Sequence, residues 1–127
     1  MPPAELIQQW KDEESRPFSG WDFSYLNGRM AEDPAPWSYT ARAMQLMRSM
    51  RQTGAALDMD TGGGERLLEM RPAWPAKVAA TENYPPNHKL ASERLNPLGV
   101  TVHAVKLSRT APMPFADGEF GLVLNRH

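Results

Sequence analysis

A parallel β-sheet flanked by helices, the α/β class, is what this 127-residue chain predicts. Three observations carry that reading. From Gly54 onward, short apolar runs alternate with helix-forming stretches, and glycine or proline marks the changeovers. One run, Ala55-Ala56-Leu57-Asp58-Met59, passes through Asp60-Thr61 into three consecutive glycines, Gly62, Gly63 and Gly64. The runs are of strand length and the stretches between them are of helix length, which implies parallel strands joined by right-handed crossovers.

The elements follow in order. Residues 5–14 read as a short helix. Phe18, Trp21, Phe23 and Tyr25 then stand among turn residues and read as a packed aromatic cap. Glu32-Asp33-Pro34-Ala35-Pro36 breaks regular structure. Ser38 is a good N-cap, its hydroxyl able to accept from a free backbone N–H. Tyr39, Ala43, Leu46 and Met50 follow at helical spacing and predict a buried stripe. Trp37 and Tyr39 are read as core packing. Gln52-Thr53-Gly54 is expected to end this helix with a glycine cap.

Strands are expected at 55–59, 77–81, 100–105 and 121–125. Helices are expected at 63–70, stopped by Arg71-Pro72, and at 86–96, closed near Pro97-Leu98-Gly99. Residues 1–53 thus form an N-terminal cap segment, and residues 54–127 a strand–helix unit.

Composition excludes several classes. Lys plus Arg number 14 and Asp plus Glu 15, so bulk charge calls for neither nucleic acid nor an acidic membrane surface. Cysteine is absent, which removes disulfides and thiolate metal sites. His88, His103 and His127 do not form a metal-ligand spacing. No apolar run reaches membrane-span length, and the N-terminus lacks a basic region before an apolar one. A cytoplasmic protein is the default expectation.

The triple glycine lies where a strand hands over to a helix. Glycine accepts positive φ and lets another molecule touch the backbone. The helix start beyond it offers free N–H donors. Asp58, just before, disfavours a phosphate and suits a ligand bearing positive charge or hydroxyl and amine donors. This segment, 55–65, resembles the first motif of class I S-adenosylmethionine-dependent methyltransferases: an acid, one residue, then G-x-G-x-G. Lys77-Val78-Ala79-Ala80-Thr81-Glu82 resembles the family's second strand with its terminal acid. The segment from Met113 through Phe120-Gly121-Leu122-Val123 to His127 resembles its stretch leading into the fourth strand.

The resemblance covers 55–127 and implies a Rossmann-like sheet with strands in the order 3-2-1-4. It implies S-adenosyl-L-methionine as cofactor and methyl transfer to an unidentified acceptor. Asp58, Asp60, Gly62, Gly63 and Gly64 would form the cofactor loop, with Asp60 in the family's first glycine position. Glu82 would accept from both ribose hydroxyls, and Tyr84 could pack on the adenine. No acid follows the third strand, and Ser108 is the polar stand-in there. Asn125-Arg126-His127 would face the methyl acceptor, with His127 a candidate general base.

The family sheet has seven strands, so this chain reads as the N-terminal half of a longer protein. Its Leu122-Val123-Leu124 run suits burial on both faces. Left as an edge, that strand invites self-association. Two other readings stand beside this one. One is a non-catalytic binding or assembly module. The other is a nicotinamide-dependent oxidoreductase, whose G-x-G-x-x-G pattern fails at Leu67.

Overall fold

A computed structural model describes residues 2–20, 22–50 and 53–126. Trp21, Gln52 and His127, singled out above, lie outside the described residues.

Four described strands form one parallel sheet: β1 (Ala55–Met59), β2 (Lys77–Thr81), β3 (Thr101–His103) and β4 (Leu122–Asn125). Their order is β3-β2-β1-β4, the expected 3-2-1-4. The first two match their expected bounds. β3 is shorter than the expected 100–105, ending at His103.

Register fixes which side chains share a face. Ala56 lies opposite Val78 and Leu122, and Asp58 opposite Ala80 and Leu124. Side chains alternate along a strand, so these residues face one way. Against that face pack α2 (Tyr39–Ser49), α3 (Glu65–Glu69) and α4 (Pro85–Leu95). Their Ala43, Met47, Leu67, Ala91 and Leu95 join Ala56, Val78, Ala80, Val102 and Leu124 in one core cluster. Each fully buried Leu or Met here contributes roughly 1.5–3 kcal/mol over the exposed state. The small Ala56 and Ala80 let the helices approach the centre of the sheet.

The opposite face buries Leu57, Ala79 and Thr81. Over its β2–β3 side lies the crossover that joins β3 to β4. His103 meets Phe115 edge-on at 5.0 Å, and Phe115 meets Phe120 in the same way at 5.0 Å. Lys77 Nζ sits 5.9 Å from the Phe120 ring centroid and donates to Glu119 Oε1 at 3.0 Å. That hydrogen bond from Lys77 is the main cause holding the Glu119 carboxyl below its ordinary value. An aromatic row and one ion pair therefore secure a connection that has no helix among its described residues.

The N-terminal region precedes all of this. α1 (Ala4–Glu14) follows the expected short helix and buries no side chain. In α2, Ser38 Oγ accepts from Ala41 N–H at 3.1 Å, the expected N-cap. Of the expected stripe Tyr39, Ala43, Leu46 and Met50, Ala43 is buried and Tyr39 packs on the core, while Met47 takes the inward place expected of Leu46. Leu46 is exposed, and Met50 sits past the helix end with extended backbone (φ −73°, ψ 144°). The helix thus stops at Ser49, short of the expected glycine cap.

Trp37 is 65% exposed, against the expectation of core packing. It lies before the N-cap, so the helical stripe never carries it inward. Tyr39, one residue inside, does pack on the core, and its hydroxyl accepts from Asn125 N–H at 3.2 Å.

After α3 a 3-10 turn at Arg71–Ala73 takes over, with Pro72 inside it. The short helix expected over 63–70 is therefore five residues long, and the turn begins where Arg71-Pro72 was expected to stop it. In β4 only Leu124 is buried. Val123 is 50% exposed, so the run Leu122-Val123-Leu124 is not covered on both faces. The reason is the register: Leu122 and Leu124 share the helix-covered face with Ala56 and Asp58, whereas Val123 shares the opposite face with Leu57.

Candidate functional site

The site forms where β1 and β2 end. Asp60 takes a left-handed φ of 52°, and Gly62 and Gly64 follow at 68° and 80°. Aspartate is one of the few non-glycine residues that visits this region readily. The loop is stitched to the end of β2. Asp60 N–H donates to Thr81 Oγ1 at 3.1 Å, and Thr61 N–H donates to Thr81 O at 2.9 Å.

Glu82 completes the stitching. It is 7% exposed, directly after β2. Its Oε2 accepts from Gly62 N–H at 2.8 Å, and its Oε1 accepts from Tyr84 N–H at 3.0 Å. Its own N–H donates to His103 O at 2.9 Å. One carboxylate therefore joins the glycine loop, the exit of β2 and the end of β3. Bonds to an ionised acceptor are the stronger kind.

The three glycines have different duties. Gly62 turns toward the cleft and donates to Glu82. A Cβ on Gly63 would lie 2.5 Å from Glu65 Oε2 and 3.0 Å from Leu90 Cδ2. A Cβ on Gly64 would lie 2.9 Å from Leu95 Cδ1. Those two glycines let the loop seat against α4. Arg94 on α4 grips the same place, donating from Nη1 to Gly63 O and to Glu65 Oε2, both at 3.0 Å.

A cavity of about 320 Å³ opens at this point. Asp60, Gly62 and Glu82 line it from the sheet side, Asn87 from α4, and Phe18, Gly20 and Phe23 from the segment between α1 and α2. Phe18 and Phe23 lie 5.2 Å apart between centroids, and Phe18 stacks on Tyr84 at 6.4 Å. Gly20 N–H donates to Asn87 Oδ1 at 2.6 Å. The position agrees with the general rule that ligands of open parallel sheets bind beyond the carboxyl ends of the strands.

The residues marked in the sequence fall into groups. Asp60, Gly62 and Glu82 meet at the cavity. Asp58 is 5% exposed within β1 and is not among the lining residues. Gly63 and Gly64 serve the packing against α4. Ser108 lies in the β3–β4 crossover, where its hydroxyl accepts from Thr110 N–H at 3.2 Å and closes an exposed turn. His127 lies outside the described residues.

Sequence reasoning missed Asn87 and Arg94, and it read Phe18 and Phe23 as packing alone. The aromatic cluster was the one available signal. Asn87 meets its partner 67 residues away, which no local pattern records.

The electrostatics are one-sided. The lining has two carboxylates, Asp60 and Glu82, and among the described lining residues there is no lysine or arginine. Aromatic faces close the other wall. Such a cleft suits a ligand that carries positive charge and donates hydrogen bonds. No group of three or more metal-ligating side chains was found among the described residues. No helix among them is long and apolar enough to cross a membrane.

No protein-family model matches the chain, and no curated protein matches it. Solved structures do. The chain is similar to a sugar N-methyltransferase from Streptoalloteichus sp ATCC 53650, at 19% identity and a TM-score of 0.45. That likeness covers 72% of this chain and 35% of the other. It is also similar to a coclaurine N-methyltransferase bound to N-methylheliamine and SAH, at 17% identity and a TM-score of 0.40. Here 84% of this chain and 38% of the other are covered. The chain thus spans little more than a third of the length of either methyltransferase it resembles.

Proposed function

We propose that this chain carries the cofactor site of an S-adenosyl-L-methionine-dependent methyltransferase. The observation that supports this most is the acidic, aromatic-walled cleft in which Glu82 bridges the glycine loop and the exit of β2. An ionised carboxylate has about four acceptor sites. Two are used by the Gly62 and Tyr84 N–H groups, which leaves acceptor capacity for ribose hydroxyls. Gly62 would let the ligand approach the backbone, and Asp60 would offer negative charge to an ammonium or sulfonium. Phe18 and Phe23 would present their faces to a flat ring or a cation. When bound, the cofactor supplies an activated methyl group on a positively charged sulfur. The chain's contribution to transfer is then orientation and exclusion of water, with proximity the main source of rate. The methyl acceptor is unidentified, and a role for Asn125, Arg126 and His127 in meeting it is part of this proposal.

The same lining disfavours a nicotinamide dinucleotide. Its pyrophosphate needs converging donors or cations, and here it would face Asp60 and Glu82. Titration calorimetry of the full chain with S-adenosylmethionine, S-adenosylhomocysteine and NAD tests the proposal. The first two should bind and NAD should not. A folded Gly62→Val variant should lose binding, because a branched side chain at φ 68° obstructs the approach. Undiminished affinity in that variant, or preferential binding of NAD, overturns the assignment.

A further inference from the structure

We infer that Asn87 is the positioning residue that holds the Phe18–Phe23 wall against the ligand cleft. The identity of the ligand rests on the proposal above; the positioning role does not. Asn87 stands in the first turn of α4 and is 7% exposed. The N-cap position before it is held by Tyr84, which offers the helix no side-chain acceptor. This helix has no side-chain cap. The Asn87 amide is turned outward, and its Oδ1 accepts from Gly20 N–H at 2.6 Å. The partner is a backbone donor, so the atom facing it must be the oxygen and the orientation of the amide is settled.

Gly20 is held from a second side. Its φ is 59°, and a Cβ there would lie 2.7 Å from Glu65 Oε1. Glu65 is itself fixed by Arg94 at 3.0 Å. The left-handed φ favours glycine here, and an added Cβ would have to displace the Glu65 carboxylate. Phe18 and Phe23 flank this anchor and form the cleft wall.

Core side chains begin only at Ala43 among the described residues, and α1 buries none. Phe18 is 40% exposed and touches the main body through Tyr84, itself 47% exposed. A segment with so little apolar burial depends heavily on its few specific bonds. The Gly20–Asn87 bond is buried and short, so an amide of α4 ties the segment that carries the aromatic wall to the main body.

The test uses the full chain with Asn87→Leu, Asn87→Asp and Gly20→Ala, each with and without Phe18→Ala. Amide exchange at Gly20, measured by NMR without ligand, reports the anchor. Calorimetry with S-adenosylhomocysteine reports the cleft. Asn87→Leu should raise exchange at Gly20 and weaken the ligand, each by about tenfold, while β1 and β2 amides stay protected. Phe18→Ala should weaken binding in the parent and add nothing in Asn87→Leu. Asn87→Asp keeps an acceptor oxygen and should restore Gly20 protection. Gly20→Ala disturbs the wall with Asn87 itself intact and should mimic Asn87→Leu. Unchanged Gly20 protection in Asn87→Leu, or fully additive losses with Phe18→Ala, overturns the inference. A parent that ignores S-adenosylhomocysteine removes the cofactor reading, and the Gly20 exchange then decides the positioning role alone.

Discussion

Replacing Glu82 should cost stability as well as affinity, and the two replacements Gln and Ala should separate by one hydrogen bond. Both carboxylate oxygens of Glu82 accept backbone N–H groups, from Gly62 at 2.8 Å and Tyr84 at 3.0 Å. Glutamine has one carbonyl oxygen and one NH2 group. It can satisfy one of those donors, and it turns a donor toward the other. A hydrogen bond to a charged group is worth roughly 1.5–3 kcal/mol. Glu82→Gln should therefore lose about 1.5–3 kcal/mol, and Glu82→Ala about twice that, on the same scale. Urea unfolding followed by circular dichroism measures both differences, provided the slopes match the parent's. Affinity for S-adenosylhomocysteine should fall in the same order, Gln before Ala. A Glu82→Gln protein as stable as the parent would refute the reasoning, because it would show that the bridge adds nothing to the fold.

Gly64→Ala tests the packing of the loop on α4. A left-handed alanine costs about 1–2 kcal/mol, and forcing a Cβ to within 2.9 Å of the fully buried Leu95 adds overpacking. Overpacking typically costs about 1–3 kcal/mol, so unfolding by urea should show a loss of about 2–5 kcal/mol. A loss under half a kilocalorie would mean that the helix yields freely. Val123→Lys tests the outer edge of β4 as a site where a second copy adds. Val123 is 50% exposed, so stability should change by no more than about 0.5 kcal/mol. Sedimentation of the parent should show concentration-dependent association that the lysine variant lacks, since a charge on an edge blocks strand addition. Identical sedimentation of the two proteins would rule the edge out.

The strands at the centre of the sheet were legible because their signals are local. Each is a run of five residues bounded by glycine or proline, and the expected bounds of β1 and β2 match the observed ones. Their order in space came from the resemblance of motifs, since periodicity alone does not rank strands. Asp60 stands in the family's first glycine position, and its φ of 52° is one that aspartate tolerates. Local rules misled at a helix boundary and in the choice of helix face. Trp37 lies one residue outside the helical stripe, and Leu46 lies on its outer side.

Tertiary structure alone decided the rest of the site. Gly62, Gly63 and Gly64 are identical in sequence, yet one faces a cavity and two press on α4. Glu82 looked like a carboxylate awaiting a ligand, and folding first gives it two backbone donors. Phe18, Gly20 and Asn87 meet across a separation of up to 69 residues, the span from Phe18 to Asn87. Propensity and periodicity act over a few residues, so they place elements. A binding cleft is made where the ends of several elements converge, and that convergence depends on the packing of helices on the sheet.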